Sequence, residues 1–176
     1  MSPDFAKILI DIIYKHKPKN ILELGSGVST IISSYCLKSI GDGCLISIDH
    51  DRDYGTKTEI NLKLHSLDNI ARIINAPLTL INIADQQYKW YDTSKIEEEK
   101  LQSIDLLVID GPSCDRYPAL PKLKNILSNN VIILVDDVNR NQEQQMVKMW
   151  LDEFKDMEMV LIESEKGTAI LRKKLQ

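Results

Sequence analysis

Carboxylates at the ends of apolar runs carry most of the chemical content of this sequence. Glu23 opens the turn Glu23-Leu24-Gly25-Ser26-Gly27, and Asp49 closes the run from Cys44 to Ile48. Asp110 follows Leu106-Leu107-Val108-Ile109, and Asp136-Asp137 follow the run from Val131 to Val135. Such oxygens can accept hydrogen bonds from a ribose diol, ligate a hard cation, or take a proton from a reacting hydroxyl. Gly25 and Gly27 let the backbone turn sharply and come close to a ligand. Asp49 lies 24 residues beyond Gly25, at the end of the next apolar run, where an acid can hold both hydroxyls of a ribose. Each feature also has a plain structural reading. Gly-x-Gly is often only a tight turn, and an acid after a strand often caps a helix. It is the order strand, glycine turn, helix, strand, acid that favours a nucleotide-sized ligand.

These acids need a frame, and the hydropathy pattern supplies one. Phe5, Ile8, Leu9, Ile12 and Ile13 repeat at helical spacing behind Ser2 as N-cap and Pro3 at the first position, which predicts a helix over about 3–16. Asn20 to Leu24 reads as a buried strand entering the glycine turn. Val28, Ile31, Ile32 and Tyr35 then continue at helical spacing as far as Gly41. Strands follow at Cys44–Ile48 and Ala71–Ile74, with Ile60, Leu64 and Leu67 marking a helix between them. The polar stretch from Gln86 to Gln102 predicts a long surface excursion, in which Trp90-Tyr91 either closes over a substrate or staples the segment to the body. Further strands are predicted at 106–109 and 131–135, separated by a helix from about Pro118 to Leu127. A helix marked by Met146, Val147, Trp150, Leu151 and Phe154 comes next. The last feature is a hairpin, Met157–Ile162 with Thr168–Leu171 around Lys166-Gly167. Alternating strands and helices imply a doubly wound, mostly parallel sheet covered on both faces. In that architecture ligands bind beyond the carboxyl ends of the strands, where the acids fall. One domain over residues 1–176 is expected, with its core in 20–176.

Composition narrows the classes. Apolar residues make up 43% and charged residues 27%, an ordinary globular mixture. A net charge of −4, from 22 Lys+Arg against 26 Asp+Glu, argues against a protein that tracks nucleic-acid phosphates. It leaves a nucleotide-sized ligand open. The three cysteines, Cys36, Cys44 and Cys114, have no metal-like spacing, so a reduced, cytoplasmic chain is expected. Asp4, Lys7 and Asp11 interrupt the apolar N-terminal stretch, so neither a signal-peptide core nor a membrane span is expected.

The dinucleotide fingerprint requires a third glycine three residues after the second, and Thr30 occupies that place. An acid two residues before the first glycine, as at Glu23, is foreign to that fingerprint. At these residues the sequence resembles the class I S-adenosylmethionine-dependent methyltransferases, whose first motif reads acid-x-Gly-x-Gly. Glu23 to Thr30 is similar to the Glu-Leu-Gly-Ser-Gly-x-Ser-Thr form of that motif, with Ser29 where many members carry a third glycine. The resemblance implies a Rossmann-like α/β fold: a seven-stranded, mostly parallel sheet with a C-terminal antiparallel hairpin and helices on both faces. It also implies a cofactor site built from Glu23, Gly25, Ser26, Gly27, Ser29 and Thr30, with Asp49 on the ribose, His50 lining the adenosine, and Asn75 and Ala76 beside the adenine. S-adenosylmethionine is a cation without phosphates, which suits an acidic rim.

The second half of the chain partially resembles the metal-dependent O-methyltransferases of the catechol type. There an acid after the fourth strand and an acid–Asn pair after the fifth bind Mg2+, and Asp-Arg-Tyr follows the first acid. Asp110, Asp115-Arg116-Tyr117 and Asp136-Asp137 match this layout, with Asp137 in the Asn position. Ser113 departs from it, standing where those enzymes place the lysine that deprotonates the acceptor. Asp110-Gly111-Pro112-Ser113 also differs from the Asn/Asp-Pro-Pro-aromatic loop of amine methyltransferases. The resemblance therefore implies O-methylation of a small-molecule or sugar-like acceptor and a metal set of Asp110, Asp136 and Asp137, whose ion would offset the missing lysine. Without a metal, Asp110 is the remaining candidate for the catalytic base. A metal-free reading stays open, with Asp110 on the cofactor, Asp136 or Asp137 capping the next helix, and Arg116 neutralising one of them. Two rival functions are a nicotinamide-dependent oxidoreductase and a non-catalytic adenosyl-binding module, and the second would need no acids at the fourth and fifth strand ends. The expected partner is a small-molecule substrate rather than nucleic acid or a membrane, and a homodimer is left open.

Overall fold

A computed structural model of the chain describes residues 1–113 and 115–174, so Cys114 lies outside the described residues. The elements run α1 (Pro3–His16), β1 (Asn20–Leu24), α2 (Val28–Ile40), β2 (Cys44–Asp49), α3 (Arg52–Leu64), β3 (Ala71–Asn75), β4 (Leu78–Ile83) and β5 (Gln86–Tyr91). They continue as α4 (Thr93–Glu98), β6 (Ile104–Ile109), α5 (Ala119–Leu123), β7 (Leu127–Asp136), α6 (Asn141–Glu153), β8 (Met157–Ile162) and β9 (Thr168–Lys173). Seven strands form one sheet in the order β3-β2-β1-β6-β7-β9-β8. The pairs from β3 to β7 are parallel, and β9 enters antiparallel to both β7 and β8. This is the Rossmann-like sheet with a closing hairpin. The direction of winding reverses between β1 and β6, which places the switch-point crevice beyond Leu24 and Ile109.

Alternation along the central strands explains the two layers of core. On β6, Leu106 and Val108 face the side packed by α1, with Phe5, Leu9 and Ile13, whereas Leu107 and Ile109 face the side packed by α6 with Trp150. On β7, Ile132 and Leu134 face the first side and Val131, Ile133 and Val135 the second. The stretches buried on both faces, 106–109 of β6 and 131–135 of β7, are apolar throughout, as such burial requires. The helices start and stop where local chemistry dictates. Ser2 Oγ accepts the Phe5 N–H at 3.4 Å with Pro3 in the first turn, and α2 ends on Gly41 at φ 80°.

Three expectations are corrected. Ile60 and Leu64 do not bury in α3; they are 52% and 74% exposed, because the face that packs is small and carries Gly55, Thr58 and Leu62. The approach is close there, since a Cβ on Gly55 would stand 3.3 Å from the Ile73 side chain. The surface excursion expected over 86–102 holds only in part. β5 pairs antiparallel with β4, α4 follows, and Trp90 and Tyr91 are fully buried, so they staple this segment to the body. The helix expected from Pro118 to Leu127 covers only Ala119–Leu123, followed by a short 3-10 turn, and β7 already begins at Leu127. Among the described residues, no helix is long and apolar enough to cross a membrane.

Candidate active site

The crevice floor is made by two loops in backbone contact. Leu24 O accepts both Asp110 N–H (3.0 Å) and Gly111 N–H (2.6 Å), and Gly25 N–H donates to Ile48 O (2.8 Å), tying the ends of β1, β2 and β6 together. Gly25 sits at φ 96°, and a Cβ there would lie 3.1 Å from Gly111 N. A Cβ on Gly111 would in turn meet the Tyr91 hydroxyl oxygen at 2.6 Å. Neither position tolerates a side chain.

Asp49 locks this turn. Its Oδ2 accepts the Ser26 N–H (2.9 Å) and the Ser26 hydroxyl (2.6 Å), and its Oδ1 accepts the Asp51 N–H (3.0 Å). Oδ1 retains a lone pair that suits a ribose hydroxyl. Glu23 lies fully buried beneath the turn, where the Thr30 hydroxyl donates to its Oε2 (2.5 Å) and in turn accepts the Gly27 N–H (2.9 Å). This relay pins the corner between turn and helix. Ser29 is buried beside it, so of the sequence-predicted residues Glu23, Ser29 and Thr30 brace the turn from within, while Gly25, Ser26 and Gly27 form it. His50 is exposed, with Nδ1 3.7 Å from Asp49 Oδ1. The Asn75 amide and the Ala76 N–H both donate to Asp49 O, at 3.4 and 2.8 Å. Ala76 places its methyl in the core, and Asn75 is exposed at the rim. The crevice offers a glycine floor, a diol-accepting carboxylate and an acidic border, a donor set that fits an adenosyl sulfonium.

Burial pushes the Glu23 carboxyl up to about 7, against the hydroxyls of Ser29 and Thr30, which favour its charged form. Between its unfolded value near 4.5 and its folded value near 7, the folded chain holds a proton that the unfolded chain has released. Stability is therefore greatest below that window and falls as pH rises through it, by on the order of 3 kcal/mol. Glu23→Gln should remove this loss, so the variant's gain in melting temperature over the parent should be larger at about pH 8 than at about pH 5. An equal difference at both pH values would contradict the assignment.

The acids of β6 and β7 do converge. One oxygen from each of Asp110, Asp136 and Asp137 lies within 4.8 Å of the other two. Arg116, itself buried, threads behind them: Nε donates to Pro112 O (3.0 Å), Nη1 to Asp136 O (3.0 Å) and Nη2 to Asp110 O (2.5 Å). Nη2 also lies 3.3 Å from Asp137 Oδ2, a carboxylate that Arg140 Nη1 approaches to 3.0 Å. Burial, with the charges of Asp110 and Asp137 adding to it, pushes Asp136 up to about 6. Asp136 Oδ2 and Asp137 Oδ1 are buried without a hydrogen-bond partner among the described residues, although Lys166 Nζ stands 3.6 Å from the latter. Hard oxygen donors with two orphaned buried atoms fit a divalent cation such as Mg2+. Neither aspartate caps α6 with its side chain, since Arg140 occupies the N-cap position.

Sequence reasoning missed Arg140, Glu143 and Lys166. Asp137, Arg140 and Glu143 alternate in sign at a spacing of three, a helical ion-pair signal that was available. Lys166 was not legible in this way. It reaches Asp137 because Val138 and Asn139 donate backbone hydrogen bonds to Gly167 O (3.1 Å) and Lys166 O (2.9 Å), clamping the β8–β9 turn onto the end of β7.

Comparison with known proteins places this geometry. The sequence profile of a methyltransferase-domain family matches residues 22–138, from β1 to just past β7. A search of curated protein sequences gave no match. Among solved structures, the chain resembles the SAH-bound methyltransferase PaMTH1 of Podospora anserina, with a TM-score of 0.77 at 17% identity over 99% of this chain and 80% of that one. It resembles the SAH complex of an O-methyltransferase from Bacillus cereus, with a TM-score of 0.78 at 17% identity over 99% and 82%. A third is the SAM complex of TomG from Streptomyces achromogenes, an O-methyltransferase involved in tomaymycin synthesis (TM-score 0.76, 15% identity, 98% and 81%). At these identities the likeness is one of fold.

Proposed function

Because this chain belongs to the methyltransferase-domain family, we propose that it transfers the methyl group of S-adenosylmethionine to a hydroxyl oxygen of a small-molecule acceptor. The observation that carries this reading is the meeting of two half-sites at one sheet edge. The glycine turn locked by Asp49 and the carboxylates Asp110, Asp136 and Asp137 are joined through the shared contacts of Leu24 O. The O-methyltransferase names of the Bacillus and Streptomyces neighbours support a hydroxyl acceptor.

S-adenosylmethionine, when bound, supplies a methyl group on a sulfonium that leaves by in-line displacement, so the protein's main task is positioning. Gly25 and Gly27 keep the floor of the crevice free of side chains, and Ser26 engages Asp49 Oδ2, so that Oδ1 would be available to a ribose hydroxyl. Asp110 accepts the acceptor's hydroxyl proton on a carboxylate oxygen, taking the role that Ser113 cannot fill. Arg116 holds that loop in place through Asp110 O and Pro112 O. Asp110, Asp136 and Asp137 would hold a divalent ion, whose chemistry is to lower the hydroxyl's pKa as a Lewis acid. A net charge of −4 speaks for a small-molecule rather than a nucleic-acid acceptor.

The test is incubation with methyl-labelled S-adenosylmethionine and a panel of hydroxyl, carboxyl and amine acceptors, with Mg2+ or with a chelator. The expected product carries the label on oxygen, and the activity is lost on chelation and in Asp137→Ala, which removes one of the three converging oxygen donors. Activity indifferent to chelation would remove the metal, and a product methylated on nitrogen would overturn the O-methyl assignment.

A further inference from the structure

Three cations stand against the carboxylates of β6 and β7, and they differ in how firmly they are held. Arg116 is buried and bonded to the carbonyls of Pro112, Asp136 and Asp110, so it is fixed. Arg140 Nη1 lies 3.0 Å from Asp137 Oδ2, the same oxygen that Arg116 Nη2 faces at 3.3 Å, and 3.8 Å from Glu143 Oε1. Oδ1 is therefore the Asp137 oxygen left for an ion, and it is buried without a hydrogen-bond partner among the described residues. The third cation faces that oxygen: Lys166 Nζ stands 3.6 Å from it.

The backbone that carries Lys166 is built into the fold. Lys166 O and Gly167 O accept the N–H groups of Asn139 and Val138, at 2.9 and 3.1 Å, beyond the end of β7. Within the turn, Gly167 N–H donates to Ser164 O (3.1 Å), and the hydroxyls of Ser164 and Thr168 lie 3.0 Å apart. The approach is close: a Cβ on Gly167 would stand 2.8 Å from Asn139 N. The lysine side chain is held far less firmly. It is 41% exposed, against 6% for Asp137, and at 3.6 Å its ammonium is beyond hydrogen-bond reach of Oδ1, so charge alone keeps it there. A fixed backbone thus delivers a movable positive charge to the one buried oxygen of Asp137 that no hydrogen bond satisfies.

Resting on the metal set proposed above, we infer that Lys166 is a tethered counter-ion that competes with a divalent cation for Asp137 Oδ1 and so sets how tightly the cluster holds that cation. An ammonium and a divalent ion at the same oxygen repel each other, so the two cannot share it. Without the ion, the ammonium compensates the buried carboxylate. When the ion binds, the side chain swings out to solvent, which its exposure permits, and Oδ1 passes to the metal. Affinity for a hard cation follows the charge its ligands present, so this competition makes the ion exchangeable rather than a permanent part of the fold. Lys166 acts only through Asp137 and touches no reacting atom.

The experiment titrates Mn2+, which takes the same oxygen donors as Mg2+, into the parent, Lys166→Met, Lys166→Arg, Lys57→Met and Asp137→Ala, following the spin signal of the free ion. Lys57 is exposed on α3, which packs on β2 and β3, and controls for net charge. Lys166→Met should bind Mn2+ about tenfold more tightly than the parent, the order expected when one positive charge leaves a half-exposed ion site. Lys166→Arg and Lys57→Met should bind as the parent does, and S-adenosylhomocysteine affinity should be the same in all three lysine variants. Losing a merely structural contact would weaken the site, not tighten it. Unchanged or weaker Mn2+ binding in Lys166→Met, or an equal gain in Lys166→Arg or Lys57→Met, would overturn the inference. If Asp137→Ala alone loses Mn2+ and Lys166→Met matches the parent, the metal set stands and this inference falls. If the parent and every variant fail to bind Mn2+ yet still bind S-adenosylhomocysteine, the metal set falls and takes the inference with it.

Discussion

Asp49→Ala is expected to weaken S-adenosylhomocysteine binding by roughly a hundredfold. The carboxylate holds the glycine turn through Ser26 N–H and the Ser26 hydroxyl, and holds the start of α3 through Asp51 N–H. Two charge-assisted bonds to the ribose hydroxyls at about 1.5 kcal/mol each amount to about a hundredfold in affinity, before any loosening of the turn. The fold itself should survive, because Gly25 N–H still donates to Ile48 O and Leu24 O still binds both amides of the opposite loop. Isothermal titration of parent and variant checks this. A variant that binds within about threefold of the parent would mean that Asp49 neither shapes the turn nor meets the ligand.

Arg116→Met should produce the largest loss of stability. The guanidinium satisfies three backbone carbonyls and sits among Asp110, Asp137 and Glu143 at 3.8, 3.3 and 3.9 Å. Methionine fills much of the volume but leaves buried carboxylates uncompensated, a change that costs about 3–5 kcal/mol. For a chain of this size that is a drop of roughly 10 °C or more in melting temperature. Arg116→Lys should recover only part of it, since an ammonium cannot bond three divergent carbonyls in the plane of a fork. Thermal and urea denaturation of the three proteins at neutral pH measure the effect. A loss under about 1 kcal/mol would show that Arg140 and Lys166 suffice to neutralise the cluster.

The parts of the fold legible in the sequence are those where one physical rule acts alone. The strands at 106–109 and 131–135 are apolar because both faces are buried, and helix α1 is marked by its N-cap, its proline and a clean apolar stripe. The helix α3 was placed but its face was misread, because a glycine, a threonine and a single leucine make its contact while isoleucine and leucine point to solvent. The β4–β5 ribbon was hidden because β5 opens on the polar run Gln86-Gln87-Tyr88-Lys89. It stands off the main sheet and buries through Trp90 and Tyr91, with Leu78 and Ile81 of β4 packed against the same core. In the site, the glycine turn and the acids were visible from spacing, and Arg116 from the run it belongs to. Lys166 was not, since only the tertiary clamp of the closing hairpin brings it to Asp137. Nor was the bracing role of Glu23, which depends on complete burial and on Thr30 lying one helical turn away.

The central claim is that the crevice between β1 and β6 receives an adenosyl sulfonium rather than a dinucleotide. Thr30 stands where the dinucleotide fingerprint has its third glycine, and the rim carries carboxylates that would repel a pyrophosphate. The most direct measurement is calorimetric titration of the parent protein with S-adenosylhomocysteine, S-adenosylmethionine and the oxidised and reduced nicotinamide dinucleotides. Saturable binding of one adenosyl ligand per chain, with no heat from the dinucleotides, is the predicted result. Tight binding of a nicotinamide dinucleotide with none of S-adenosylhomocysteine would contradict it.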